Sequence, residues 1–146
     1  MGSVWELDFY SRPLLDENQK RQWEVLICEG FVDVHSQPDQ LFRYSKFLSN
    51  TEVNSLNLQT AIEEAIAQAS TPPGRIRYFR YQMQNMIQRA CDQLGIPAVA
   101  SRRTLALQQW IEDRQQCFYP NQPGYTTVPS PTVAAPPPTP RLLPDA

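Results

Sequence analysis

Between Val4 and Ser11 apolar and polar side chains alternate: Trp5, Leu7 and Phe9 fall on one face, Glu6, Asp8 and Tyr10 on the other. Only a strand puts every second side chain on the same side. This stretch therefore commits the chain to a sheet with one apolar face and one face that carries carboxylates. Trp23 to Cys28 reads as a second strand, with Trp23, Val25 and Ile27 on one face and a largely apolar second face, as expected of a central strand. Arg12-Pro13 is expected to end the regular pairing of the first strand. The turn residues Asp16-Glu17-Asn18-Gln19 join the two strands as an antiparallel hairpin. Leu41 to Leu48 supplies a third strand and completes a meander.

The period then changes. Leu58, Ala61, Ile62, Ala65, Ile66 and Ala69 follow 3-4 spacing after Asn57, the expected N-cap, and Thr71-Pro72-Pro73-Gly74 stops the helix. Arg75 to Arg80 is strand-like. Met83, Met86, Ile87, Ala90, Cys91 and Leu94 form a second helical stripe, read as core and ended by Gly95. Pro97 to Ser101 is a short strand, and Thr104 caps a last helix marked by Leu107, Trp110, Ile111 and Phe118. The order is β-β-β-α-β-α-β-α. Helical crossovers favour parallel pairing for the later strands, so the expected fold class is α+β (mixed α/β): a five-stranded mixed sheet of ribonuclease H-like topology.

Nine of the 14 prolines lie at or after Pro120. Residues 123–146 are rich in Pro, Thr, Ala and Val, and cannot bury enough surface to offset their ordering entropy. The expected organisation is one domain over residues 4–122 and a Pro-rich linker over 123–146, leading toward a second domain not present in this chain.

The net charge of −2 conceals an uneven distribution. Residues 1–74 carry 5 basic and 11 acidic side chains, whereas residues 75–103 carry 6 arginines against Asp92 alone. The whole-chain charge hides a local basic stripe on an acidic body, whose arginines either face nucleic acid or pair with the acidic hairpin. Arg75, Arg77 and Arg80 alternate with Tyr78, Phe79 and Tyr81. Guanidinium groups bind phosphate bidentately and stack on bases, and exposed aromatics are platforms for single strands. Strict alternation places Arg75 and Arg77 on one face and Arg80 on the other. Arg102-Arg103 would meet Arg80 at the C-terminal ends of parallel strands, beside helix N-termini that attract anions. The candidate nucleic-acid contacts are Arg12, Arg75, Arg77, Tyr78, Arg80, Arg102 and Arg103.

Asp8 opens an alternative. In ribonuclease H-like nucleases an aspartate in the middle of strand one helps to hold two metal ions, and other carboxylates complete the cluster. Glu63 and Glu64 are the acids that could join Asp8 here. The fourth strand ends in Arg80, where such a site needs an acid. The reading preferred for Asp8 is a salt bridge to Arg12, Arg75, Arg77 or Arg80, with no metal and no cofactor.

Other chemistries find little support. Cys28, Cys91 and Cys117 are odd in number and widely spaced, which suits buried thiols better than disulfides or zinc. His35 is the only histidine, and with Asp33 and Asp39 it makes a sparse loop set, weak as a metal site. Glycine-rich phosphate loops and activated nucleophile motifs are lacking. With no apolar run near the ~18 residues of a membrane helix and no secretory leader, a soluble, uninserted protein is expected.

Four motifs taken in order resemble a known family: Trp5-Glu-Leu-Asp-Phe-Tyr-Ser-Arg-Pro13, Trp23-Glu-Val-Leu-Ile-Cys28, Arg75-Ile-Arg-Tyr-Phe-Arg80 with Gln82-Met83, and Ser101-Arg-Arg-Thr104. They are similar to the N-terminal domain of the RNA-binding translational activators of plastids and cyanobacteria, the Tab-two family, over Val4 to Gly124. The resemblance implies binding to A/U-rich single-stranded RNA and a role in translation of photosystem messages, mainly photosystem I, and in photosystem biogenesis. It further implies the ribosome or photosystem assembly factors as partners, and a cyanobacterial cytoplasm or plastid stroma as the setting. A protein-interaction scaffold in photosystem assembly is a further alternative.

Overall fold

The computed structural model describes residues 3–30 and 41–127. Asp33, His35 and Asp39, and the Pro-rich stretch from residue 128 onward, lie outside the described residues. The elements follow the expected order: β1 (Val4–Leu15), β2 (Arg21–Glu29), β3 (Arg43–Leu48), α1 (Ser55–Ala69), β4 (Arg75–Tyr78), α2 (Gln84–Leu94), β5 (Ala98–Ala100) and α3 (Leu105–Asp113). They form one five-stranded mixed sheet in the spatial order β3-β2-β1-β4-β5. The meander β1–β2–β3 is antiparallel, and β4 and β5 join β1 in parallel.

The period-two pattern of β1 sorts the two faces. Trp5, Leu7 and Phe9, opposite Val25 and Ile27, pack against Leu58, Ala61, Ile62 and Ala65 of α1 and Ile87, Ala90 and Cys91 of α2. The other face, with Leu26 and Cys28, packs against Ala106, Leu107, Trp110 and Ile111 of α3. Pairing of β1 and β2 is irregular between Ser11 and Leu15, around Pro13, which has no N–H to donate; the strand nonetheless resumes and runs to Leu15.

Several local expectations shift. Helix α1 is capped by Asn54, not Asn57: the Asn54 side chain accepts from the Asn57 N–H at 2.8 Å. Strand β4 ends at Tyr78, two residues before Arg80, and β3 starts at Arg43 instead of Leu41. Thr104 stands at the start of α3 without a side-chain capping bond. After α3 the chain widens into a π turn, Arg114–Phe118, and a 3-10 turn, Tyr119–Asn121. The π turn changes the helical phase, so Cys117, expected inside, is exposed, whereas Tyr119 is buried. Cys28 and Cys91 are buried, and burial pushes both thiols up, Cys91 to about 12.

Residues 123–126, grouped by composition with the linker, pair with the far end of β1. The Gly124 carbonyl accepts from Leu15 N–H at 2.7 Å, Tyr125 bridges Leu14, and Thr126 N–H donates to the Pro13 carbonyl at 2.9 Å. Gly124 has φ +83°, and a Cβ there would lie 2.2 Å from the Leu15 oxygen, so only glycine fits.

Candidate functional site

On the α3 face of the sheet, β1 aligns Glu6, Asp8, Tyr10 and Arg12, and β2 adds Glu24 opposite Tyr10. Glu6, Asp8, Arg12 and Glu24 are all buried. Buried ions must be paired: Asp8, Arg12 and Glu24 are paired in a continuous chain, and Glu6 stands apart from it. Arg80 grips Asp8 with two bonds, Nε to Oδ1 at 2.8 Å and Nη2 to Oδ2 at 3.0 Å. Arg12 donates to Asp8 Oδ2 at 3.0 Å and, through Nε, to Glu24 Oε1 at 3.1 Å. Glu24 then takes the Arg114 guanidinium and the Tyr119 hydroxyl, the latter at 2.6 Å. Three guanidinium groups thus alternate with two carboxylates.

Burial alone would raise the Asp8 carboxyl. The charge of Arg12 and the bonds and charge of Arg80 outweigh it, and hold Asp8 below its ordinary value of 3.8. Two residues away, Glu6 behaves oppositely. Burial raises it above 4.5, and the Leu107 N–H, the charge of Arg77 and the Ala106 N–H only partly counteract that rise. Glu6 Oε1 accepts from Leu107 N–H at 2.8 Å, at the start of α3. Gly30 makes room for this carboxylate, since a Cβ there would lie 2.7 Å from Glu6 Oε2. The N-terminal turn of α3 was expected to attract an external anion. It is instead already filled by the protein's own carboxylate, placed where the helix dipole favours it.

Asp8 therefore pairs with arginine, as its sequence setting suggested, and the partners are Arg80 and Arg12. Alternation assigned Arg80 to the face opposite Arg75 and Arg77. That assignment fails because the β4 ladder stops at Tyr78, its last residue paired with β5, and alternation does not govern the backbone beyond it. Arg80 swings to the Asp8 face and lies over the Tyr10 ring, its Cζ 3.9 Å from the centroid.

The sequence-derived arginines do not form one patch. Arg80, Arg102 and Arg103 stand at the C-terminal ends of β4 and β5, where the chain leaves toward α2 on one face and α3 on the other. Such a divergence of neighbouring parallel strands is the usual ligand crevice of open α/β sheets. Arg102 and Arg103 are exposed. Arg75 is exposed at the opposite end of β4, and Arg77 pairs in register with Glu6. Burial takes Arg12 and Tyr78 out of reach of a ligand. Arg12 is enclosed by Asp8 and Glu24. Tyr78 is 1% exposed and its hydroxyl accepts from Gln88.

The acids named for metal chemistry do not assemble. Glu63 and Glu64 lie on α1, across the sheet from Asp8, and Glu64 is bound by Tyr44 and Lys46. Among the described residues no group of three or more His, Cys, Asp or Glu side chains is placed to hold a metal ion, and no helix is long and apolar enough to cross a membrane.

Sequence reasoning missed Glu24, Arg114 and Tyr119. The signal was an isolated acid in an otherwise apolar central strand, which requires a cation from elsewhere. It missed also a groove of about 710 Å³ beside Arg80, between Phe79 and the outer side of α3.

Residues 4–114 match the family described as RNA-binding protein Tab2/Atab2, N-terminal. The chloroplastic TAB2 homolog of Zea mays is 37% identical over 142 residues, and that of Arabidopsis thaliana 36% over 142 residues, each match covering 97% of this chain. The matches cover 34% and 36% of those proteins, so the chain spans about a third of the length of the curated relatives it matches. Among solved structures, a chain of the simian T-cell lymphotropic virus intasome in complex with the PP2A regulatory subunit B56 gamma superposes with a TM-score of 0.57 at 15% identity. That match covers 84% of this chain and 44% of the other, and at this identity the likeness is one of fold alone.

Proposed function

This chain belongs to the family of RNA-binding Tab2/Atab2 N-terminal domains, and on that premise we propose that it binds A/U-rich single-stranded RNA as part of a longer protein. That protein acts in translation of photosystem messages, mainly photosystem I, and in photosystem biogenesis. Its setting is a cyanobacterial cytoplasm or the plastid stroma, and the ribosome and photosystem assembly factors are its protein partners. The fold is ribonuclease H-like, a reading supported by the antiparallel meander continued by two parallel strands. Residues 4–122, with 124–126 paired onto β1, form the RNA-binding domain, and the stretch that follows leads toward a second one.

The observation that carries this reading is the state of Asp8. In a nuclease of this topology that position would help to hold cations; here Arg80 and Arg12 occupy it. The aspartate becomes the support of a guanidinium at the crevice, with exposed Arg102 and Arg103 beside it. Such a site attracts phosphate, and among the described residues no carboxylate cluster is placed to hold the metal ions that would cut it. Arg102 and Arg103 take backbone phosphates, with Arg80 beside them; Arg75, exposed at the opposite end of β4, offers a separate contact, and Arg77 is paired in register with Glu6.

Fluorescence anisotropy of the full-length protein with an A/U-rich RNA tests it. Affinity should fall steeply with salt, and replacing Arg102 and Arg103 together by Ala should lower the slope of log K against log salt by about 1.4, from roughly 0.7 per phosphate contact on a single strand. Absent or salt-insensitive binding would sink the proposal.

A further inference from the structure

The groove beside Arg80 has the wrong charge for a simple phosphate channel. Its volume of about 710 Å³ falls within the roughly 300–1,000 Å³ usual for small-ligand sites. Phe79 and the exposed Leu105 supply apolar wall. Arg80 supplies a cation. Its Nε and Nη2 are held by Asp8, and its Nη1 makes no hydrogen bond to any described residue. The far end is lined by Glu112 and Asp113, both exposed. Helix α3 thus runs alongside the groove from the Arg102-Arg103 end to a carboxylate end, about 12 Å away by helical rise.

This polarity separates the parts of a nucleotide. A phosphate is drawn to the arginine end and repelled from the carboxylate end. Carboxylates accept hydrogen bonds and cannot donate them, so they suit an exocyclic amino group; uracil offers them only its N3–H, set between two carbonyl oxygens that they repel. Resting on the RNA-binding reading above, we infer that the groove seats an unstacked nucleobase of RNA held by Arg102 and Arg103, and that Glu112 and Asp113 select a base bearing an amino group over uracil. Within A/U-rich RNA that base is adenine. Phe79 and Leu105 supply the apolar contact for its ring, and Arg80 Nη1 supplies a donor for a ring nitrogen.

The test compares A-tract and U-tract 12-mer RNAs on the full-length protein, by competition against one labelled strand. The unaltered protein should prefer the A-tract by about tenfold, the size of one good base contact. The double variant Glu112→Gln, Asp113→Asn should bring the ratio close to one, chiefly by tightening binding of the U-tract. The control, Glu63→Gln with Asp92→Asn, removes the same charge from helices on the opposite face and should leave the ratio unchanged. RNA binding with an A-to-U ratio that both double variants leave alone overturns the groove assignment while RNA binding stands. No binding of either RNA by the unaltered protein overturns RNA binding itself.

Discussion

On one face of the sheet β1 presents Trp5, Leu7 and Phe9 to α1 and α2; on the other it presents Glu6, Asp8 and Arg12 to α3 and the turns beyond it. Both faces are buried, by different means. Apolar burial scales with area and is indifferent to direction, so the first face holds the layers together without fixing any one side chain's hydrogen-bonding geometry. The ionic face removes charges from water, a cost that attraction between them offsets only when geometry and hydrogen bonding are good. What it yields in return is direction. Arg80 is oriented by two bonds to a carboxylate whose own place is set by Arg12. The apolar face makes the domain; the ionic face holds a guanidinium still at the crevice.

The contrast breaks most severely at Glu24. Glu24→Ala leaves Arg12 and Arg114 buried without their shared counter-charge and should cost about 3–5 kcal/mol in urea unfolding; a loss below about 1 kcal/mol would mean that the guanidiniums escape to water. On the apolar face, Leu58→Ala opens a cavity in a packed cluster and should cost about 3 kcal/mol, within the roughly 2–5 usual for such truncations. It should leave salt-dependent RNA binding intact wherever the protein is folded. If RNA binding falls as much for Leu58→Ala as for Asp8→Asn under folded conditions, the division of labour between the faces is wrong. Asn54→Ala removes a helix cap on the apolar side and should cost about 1 kcal/mol, read as a shift in the urea midpoint.

The smallest effects are in pH. Asp8 has its carboxyl lowered, so the native state binds its proton less readily than the unfolded chain. Its stabilisation is present above the ordinary value of 3.8 and is lost as pH falls through the lowered folded value. Glu6 has the opposite sign. Its raised carboxyl means that stability declines as pH climbs from the ordinary 4.5 through the raised folded value. Glu6→Gln should remove that decline while keeping an acceptor for the Leu107 N–H. A thermal-unfolding series across the acidic range checks both, and an unchanged profile for Glu6→Gln would contradict the assigned sign.

The order of elements and the two faces of β1 were legible in the sequence because a buried sheet imposes period two, and helices over it impose 3-4 spacing. Gly95 ended α2 as expected, with φ +71°. The losses have local causes. The first turn of α1 is polar apart from exposed Leu56, so the apolar stripe begins a turn late and points to Asn57 instead of Asn54. Alternation misplaced Arg80 because it extrapolated beyond the last pair of a strand. Arg114 and Tyr119 meet Glu24 across 90 and 95 residues, and no local period encodes so distant a contact. The Asp8–arginine bridge was legible for another reason: a carboxylate on a buried face needs a cation, and the basic stripe supplied one.

The pairing of residues 124–126 with β1 has a mechanical side. A pull on the chain beyond Thr127 is not borne first by α3 or its turns. It passes through the bonds from Thr126 to Pro13 and from Leu15 to Gly124 into β1. That strand carries Asp8, and Asp8 carries Arg80. Load or displacement arriving along the proline-rich stretch is therefore delivered to the same rod on which the crevice arginine is mounted.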